Sequence, residues 1–330
     1  MMYSRFVSYI ALLLISAHCF SQEGIPIYSD YLSDNYYLIH PSMAGAANCD
    51  KIRLTIRNQW FGHEDAPAFQ TLSYNTRFDE KSAGGIILFN DKNGYYSQKG
   101  IQLTYAHHIM FSRDAIDLNQ LSFGISGGIT QSQLDETHFL DSGVTDPIIK
   151  GNVESETHVN FDVGTSYNYL DMYFHLTAKN VLETKQNKDS NHETSNLRKY
   201  LFSTGYIFGN SDWLSWEPSV MFQFTEMTKE KTLDVNLKTY KNFSEGMLWA
   251  GLSYRTGLDA QHPVNGTSKQ KLQYLTPIIG INYKNFLFAY TYSSVFGSVK
   301  FDNGAYHQLT LGMNLACRKE KYDCNCPAVN

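Results

Sequence analysis

Hydrophobic and polar residues alternate with a period of two along most of this chain. From Gln120 to Thr130, the residues Leu121, Phe123, Ile125, Gly127 and Ile129 take one parity, while Gln120, Ser122, Gly124, Ser126, Gly128 and Thr130 take the other. A strand sends successive side chains to opposite faces, so this segment has one apolar face and one that is small and polar. Ile101, Leu103, Tyr105 and Ile109 set against Gln102, Thr104, Ala106 and His108 repeat the pattern, as do Ile52, Leu54 and Ile56 against Arg53, Thr55 and Arg57. Helical spacing fits none of these.

Read to its end, the chain holds about fourteen such segments. They fall near 52–60, 69–78, 83–90, 100–110, 119–131, 158–169, 172–179, 198–208, 213–225, 231–240, 247–255, 271–283, 286–294 and 306–315. Most are longer than the roughly 5–6 residues of an average soluble strand and close to the roughly 9–11 that a tilted strand needs to cross a bilayer. The connections sort by parity. The even-numbered ones are tight, as at Asp79 to Ser82, Leu170-Asp171 and Lys284-Asn285. The odd-numbered ones are mostly long, as at Ser132 to Thr157, Asn180 to Leu197, Thr256 to Gln270 and Val295 to Ala305, with Glu226 to Glu230 an exception. A transmembrane barrel with both ends on the inner side alternates long outer loops with short inner turns, and a soluble sandwich has no reason to. Aromatic residues cluster toward strand ends (Tyr167 and Tyr169, Trp213 and Trp216, Phe286 to Tyr292), where they would form interfacial girdles or simply follow strand propensity.

Composition agrees with one greasy and one wet face. Charged residues are 18% and aromatic residues 14%, with 23 Tyr and 20 Phe in 330 residues. A net charge of -5 gives no basic face for nucleic acid. Residues 1–21 read as a signal peptide: Arg5 is the positive region, Phe6 to Ile15 an apolar stretch too short to span a bilayer, and cleavage follows Ser21. Residues 22–48 form an irregular leader, too aromatic for a disordered tail, expected inside the barrel or across its periplasmic mouth. Residues 49–316 are the barrel, and 317–330 a polar periplasmic tail containing Cys324 and Cys326. The fold expected is therefore an all-β, transmembrane antiparallel barrel in the outer membrane, its outer wall in lipid.

No constellation of catalytic or metal-binding type stands out. His63, Glu64 and Asp65 lack zinc spacing and read as a solvated loop. His107 and His108 face opposite sides of one strand. No Gly-x-Ser-x-Gly elbow or phosphate loop occurs, so no cofactor and no enzyme is expected. The cysteines Cys317, Cys324 and Cys326 suggest a disulfide of Cys317 with one tail cysteine, with free thiols or a link to a periplasmic partner as the alternatives.

The run Arg57-Asn58-Gln59-Trp60-x-Gly62, then Ala66-Pro67 and Gln70-Thr71-Leu72-Ser73, resembles the PorP/SprF family of type IX secretion-associated outer-membrane proteins. So do Asn90-Asp91-Lys92-x-Gly94, Tyr105-Ala106-x-His108, Leu121-Ser122-x-Gly124, Gly127-Gly128 and the closing Tyr306-His307-Gln308-Leu309-x-Leu311. His40-Pro41-Ser42-Met43-Ala44-Gly45 is similar to the family's Asn-Pro-Ala-x-x-Gly, with His in place of Asn. Asn90-Asp91 and Gly94 also suit a hairpin loop, Pro67 an outer turn, and the strand glycines close backbone approach or curvature. The resemblance implies a barrel that supports export and surface attachment of adhesin-like cargo, in gliding or secretion, and that couples to periplasmic components. Arg57 to Trp60, Gly62, Pro67, Asn90 to Lys92 and Gly94 are then the candidate partner contacts. A passive porin lined by Arg53, Arg57, Gln102, Asn160 and Asp162 is the rival expectation, and a rim hydrolase a more distant one.

Overall fold

The computed structural model describes residues 32–59, 66–112, 117–137, 151–182, 198–210, 213–258, 272–297, 305–317 and 328–329. The expected signal peptide, the start of the expected leader, Trp60, Gly62 to Asp65, and Cys324 and Cys326 lie outside these residues.

Strands β1 (Asp50–Gln59), β2 (Ala68–Arg77), β3 (Ser82–Asn93), β4 (Tyr96–Met110), β5 (Asn119–Asp135), β6 (Val153–Tyr169) and β7 (Met172–Lys179) form one half of a single sheet. Strand β8 runs in two pieces, Lys199–Tyr206 and Phe208–Asn210, followed by β9 (Leu214–Thr225), β10 (Lys231–Phe243), β11 (Gly246–Gly257), β12 (Leu272–Tyr283), β13 (Phe286–Gly297) and β14 (Tyr306–Leu315). The two pieces of β8 are one strand, because Gly205 faces Ser219 and Phe208 faces Trp216 in an unbroken register. The gap falls opposite Pro218, which has no N–H to give to the ladder. A second gap, between β12 and β13, falls at Pro277 in the same way.

Each strand pairs antiparallel with its neighbours in sequence, and β14 returns to β1 from Asp50↔Leu315 to Gln59↔Tyr306, closing a fourteen-strand ring. All fourteen expected segments are strands. β5 and β6, however, are 17 residues each. Their outer ends, residues 132–135 and 153–157, carry on the outward side only Val153 as an apolar residue and so do not read as membrane strand. The turn between β3 and β4 is only Gly94-Tyr95, with Gly94 at φ +62, and Asn93 pairs with Tyr96. Asn90 and Asp91 are therefore ladder residues of β3 and not part of a loop, because the positive φ that a two-residue hairpin demands is met at Gly94.

The wall is inverted relative to a soluble protein. On β1 the buried residues are Lys51, Arg53, Thr55 and Arg57, and on β5 Gln120, Ser122, Ser126 and Ser132, while Phe123, Ile125 and Ile129 are about half exposed. Cross-strand pairs fix where lipid ends. Ile101, Ile129 and Val159 stand in one row across β4, β5 and β6, and the next outward-facing row is Lys99, Gln131 and Thr157. On β5 the apolar parity runs from Leu121 to Ile129, roughly 27 Å of strand at about 3.4 Å per residue. That is the order of the roughly 25 Å apolar band of outer-membrane barrels. At the other border, exposed aromatic side chains sit beside the short turns: Phe78, Phe111, Tyr169, Phe208 and Trp213, Phe243, then Tyr283 and Phe286. These form the girdle of one interface.

Cys317 pairs with Cys49, with Cα atoms 4.0 Å apart, and so not with a tail cysteine. Ring closure is the reason: Cys49 immediately precedes β1, Cys317 follows β14 by two residues, and the two strands are neighbours. Replacing a residue at mid-band, Ile125→Arg, places a charge in hydrocarbon and is expected to destabilise the folded barrel by about 2–4 kcal/mol. Urea unfolding from detergent micelles or vesicles measures it, and Gln131→Arg, one polar row above the band, should cost far less.

Candidate functional site

Residues 32–48 fill the end of the lumen that carries the short turns. Every one of them is buried, and two single turns of 3-10 helix, Tyr36–Leu38 and Pro41–Met43, fold the segment. Pro41 starts the second turn, where a missing N–H costs nothing. The wall is cut to fit. A Cβ on Gly124 would lie 2.3 Å from the Pro41 carbonyl carbon, and one on Gly85 would lie 2.5 Å from the Tyr37 hydroxyl. These strand glycines are thus sites of close approach by the leader. Leu32, Tyr36, Ile39, Met43 and Ala46 pack against Tyr173, Leu201, Met221, Trp249, Ile278 and Leu287 of the wall, an apolar core inside a polar tube.

A buried polar network ties this plug to three strands. Lys238 of β10 donates to Asp34 of the leader (2.7 Å) and is paired with Glu217 of β9 at 3.2 Å. Glu217 also accepts hydrogen bonds from Tyr36 (3.0 Å), Tyr173 (2.7 Å) and Tyr240. The Lys238 ammonium lies 5.3 Å from the Tyr240 ring centroid and 5.9 Å from that of Tyr36. Burial, and next to it Glu217, holds the Tyr36 hydroxyl well above its ordinary pKa, so it remains a donor. One carboxylate receives three hydroxyls and one ammonium, so its charge is met on every side.

Two histidines complete the seating. His108 of β4 donates from Nε2 to the Ala44 carbonyl (3.0 Å), which leaves Nδ1 to accept from Ser122 (2.8 Å). His40 reaches Thr177 through Nδ1 (2.8 Å) and Ser203 through Nε2 (3.0 Å). Burial, with His175 and Lys179 adding to it, pushes the His40 imidazole well below its ordinary value, so it sits neutral. At the same mouth the end of the chain comes in: Asn48 N–H donates to the Val329 carbonyl (2.8 Å), Lys51 donates to the Ala328 carbonyl (2.7 Å), and Val329 packs on Leu118 and Ile207.

At the opposite rim the structure divides the sequence motif. Arg57, Phe69 and Asp91 share one lumen-facing row across β1, β2 and β3. The Arg57 guanidinium lies 4.9 Å from the Phe69 ring centroid and 5.1 Å from that of Tyr306, stacked between them. Asn58, Asn90 and Lys92 are exposed on the other parity, Gln59 N–H donates to the Pro67 carbonyl (2.9 Å), and Gly94 forms the hairpin tip. The motif therefore builds the rim locally and does not converge on one site. The plug network of Asp34, Tyr36, Glu217, Lys238 and Tyr240 was not among the expected residues. Its signal is a charged residue at lumen parity near the short-turn end of β9 and of β10.

With rim and plug placed, comparison with known families decides identity: the model for type IX secretion system membrane protein PorP/SprF matches residues 20–313. The chain belongs to the PorP/SprF family. As a PorP/SprF barrel it resides in the outer membrane. No curated protein sequence matches it. Among solved structures, the CymD monoaromatic hydrocarbon channel is similar at TM-score 0.49 and 10% identity over 85% of this chain and 91% of that one. The Pseudomonas putida toluene transporter TodX is similar at 0.44 and 10% over 85% and 92%. BamA from Haemophilus ducreyi lacking POTRA domains 1-3 is similar at 0.39 and 11% over 80% and 70%.

Besides the plug-seating pairs His108–Ser122 and His40–Ser203, the described residues of this PorP/SprF chain place Ser132 Oγ 3.2 Å from His158 Nε2. Glu156 stands 4.0 Å from the other ring nitrogen, beyond a hydrogen bond, and Ser132 is buried and already accepts from Gln98 (3.0 Å). The pair reads as a wall contact. Among the described residues no group of three or more His, Cys, Asp or Glu side chains could hold a metal.

Lys238→Met leaves Asp34 and Glu217 buried without their cation, and is expected to cost about 3–5 kcal/mol, read as a lower urea midpoint with the barrel in micelles. Titration of His40 predicts the pH response. Below about pH 6.5 the unfolded chain takes up a proton that the folded imidazole refuses. Stability is thus full above that pH and declines as pH falls below it. Melting in micelles at pH 7.5 and 5.0 checks this, and His40→Asn, the residue that the family pattern carries there, should flatten the slope.

Proposed function

We propose that this barrel acts as a plugged outer-membrane anchor of the type IX machinery: it supports export and surface attachment of an adhesin-like cargo at its long-loop rim and meets a periplasmic component at its short-turn mouth. The observation that carries the reading is the occupation of the lumen by residues 32–48, held by apolar packing, hydrogen bonds and the Asp34–Lys238 ion pair. A fourteen-strand ring is wide enough to leave an aqueous channel unless something fills it. Here the filling belongs to the chain itself, which favours a scaffold over the porin expectation. The mouth gathers the leader, the Cys49–Cys317 bridge and Ala328-Val329 at one place, a composite surface on the side where periplasmic components lie.

Two measurements test this reading. In planar bilayers the intact protein should show no steady open-channel current, and a persistent conductance of porin size would return the porin to first place. In cells, loss of the barrel should deplete the adhesin-like cargo from the surface several-fold while cargo synthesis continues. Surface labelling after deletion measures it, and unchanged cargo would remove the anchoring role.

A further inference from the structure

On the long-loop side the apolar band ends in a polar row that still faces out of the barrel. Leu72, Leu88, Ile101 and Ile129 form the last apolar row across β2 to β5, each 39–50% exposed. One row nearer the rim, the ladder sets Gln70 beside Asn90, Asn90 beside Lys99 and Lys99 beside Gln131. Directly paired β-carbons stand about 4.5–5.5 Å apart, so the lysine has an amide within reach on either side. Gln70, Asn90 and Lys99 are exposed and Gln131 is half-buried, and among the described residues none of these four side chains makes a hydrogen bond or an ion pair.

Charge and position together select the occupant. The following outward row holds Ala68, Lys92, Ser97 and Gln133, so the two polar rows of β2 to β5 contain two lysines and no carboxylate. Lys92 is a diagonal neighbour of Lys99, about 7 Å away at the β-carbon. Beside β8 and β9, by contrast, the cation Arg198 is matched to Glu226 at 3.2 Å. Side chains that point out of the wall at this height meet the headgroup layer of the outer leaflet, while acyl chains lie below on Leu72, Leu88, Ile101 and Ile129. An ammonium is a compact charge that donates to phosphate oxygens, and amides both donate and accept, as a ring of sugar hydroxyls requires.

We propose that Lys99, flanked by Asn90 and Gln131, holds the phosphate of a phosphorylated glycolipid in the outer leaflet. The Lys99 ammonium donates to the phosphate, Lys92 brings a second cation from the neighbouring strand, and the amides of Gln70, Asn90 and Gln131 bond the sugar around it. Asn90 and Lys92, which the sequence motif offered as partner contacts, thereby face a lipid.

The test uses the full-length barrel in mild detergent, with lipid A as the probe and native mass spectrometry as the readout. The barrel should retain phosphorylated lipid A in preference to its dephosphorylated form and to phosphatidylglycerol. Lys99→Gln should lower that retention about fivefold and Lys99→Arg should preserve it, with heat-modifiable migration on gels showing that both variants fold. Lys241→Gln, at an exposed lysine near the short turns, should change nothing. In intact cells a photocrosslinking residue at Gln131 should attach to the glycolipid. Equal retention of either comparison lipid, full retention by Lys99→Gln, or an equal loss in Lys241→Gln overturns the proposal, as do crosslinks to polypeptide alone.

Discussion

The controlling constraint is that hydrocarbon offers no hydrogen bonds, so each backbone N–H and C=O in the apolar band must be met by another strand. A sheet satisfies this only by closing, and the pairing of β1 with β14 is where this chain closes. Much else follows from that one ladder. It sets the parity that sends Ile125 and Ile129 to lipid and Ser122 and Ser126 to the lumen, and it brings the two ends of the barrel segment together at one mouth. The Cys49–Cys317 bridge covalently restates a neighbour relation that hydrogen bonding already imposes.

Closure creates a second demand, because a tube with an inward polar wall has polar groups to satisfy. At the short-turn end the chain meets it with its own leader. Tyr36, His40, Ser42 and Ala44 supply partners to Glu217, Thr177, Ser166 and His108. The Asp34–Lys238–Glu217 cluster is not an obvious source of stability, since buried ion pairs often gain little over well-packed apolar residues. Its evident effect is selective. A lysine and a carboxylate fixed on β9 and β10 accept one placement of Asp34 and Tyr36, which sets the register of a segment that has no sheet of its own to align it.

The rim follows a different logic. There the strands end at unequal heights, and the motif residues alternate between lumen and exterior. Arg57 and Asp91 face inward while Asn58, Asn90 and Lys92 face outward, so a linear motif is spread over two surfaces by the pleat. A motif on a strand describes a wall and its border more readily than a pocket, which fits an element that presents a surface to a large partner.

The strand positions and the apolar wall were legible from the chain because period-two alternation is a local signal, carried by neighbours such as Phe123 and Ser122 and needing no knowledge of the partner strand. Loop parity was legible for the same reason. The outer ends of β5 and β6, residues 132–135 and 153–157, escaped detection because outside the lipid both faces are wet and the alternation loses contrast. Asn90 and Asp91 looked like turn residues, and only pairing with Gln70 and Phe69 assigns them to a ladder. A leader inside the barrel or across its mouth was expected, but the residues that hold it could not be read from the chain. Asp34 and Lys238 are separated by 204 positions, and their ion pair exists only because closure brings β9 and β10 around the leader. Cys49 and Cys317 meet for the same reason. The sequence by itself determined which face of each strand meets lipid, since that depends on the chemistry of adjacent residues. The tertiary structure decided how the leader is seated in the lumen and which distant residues hold it, since that depends on bringing the ends of the sheet together.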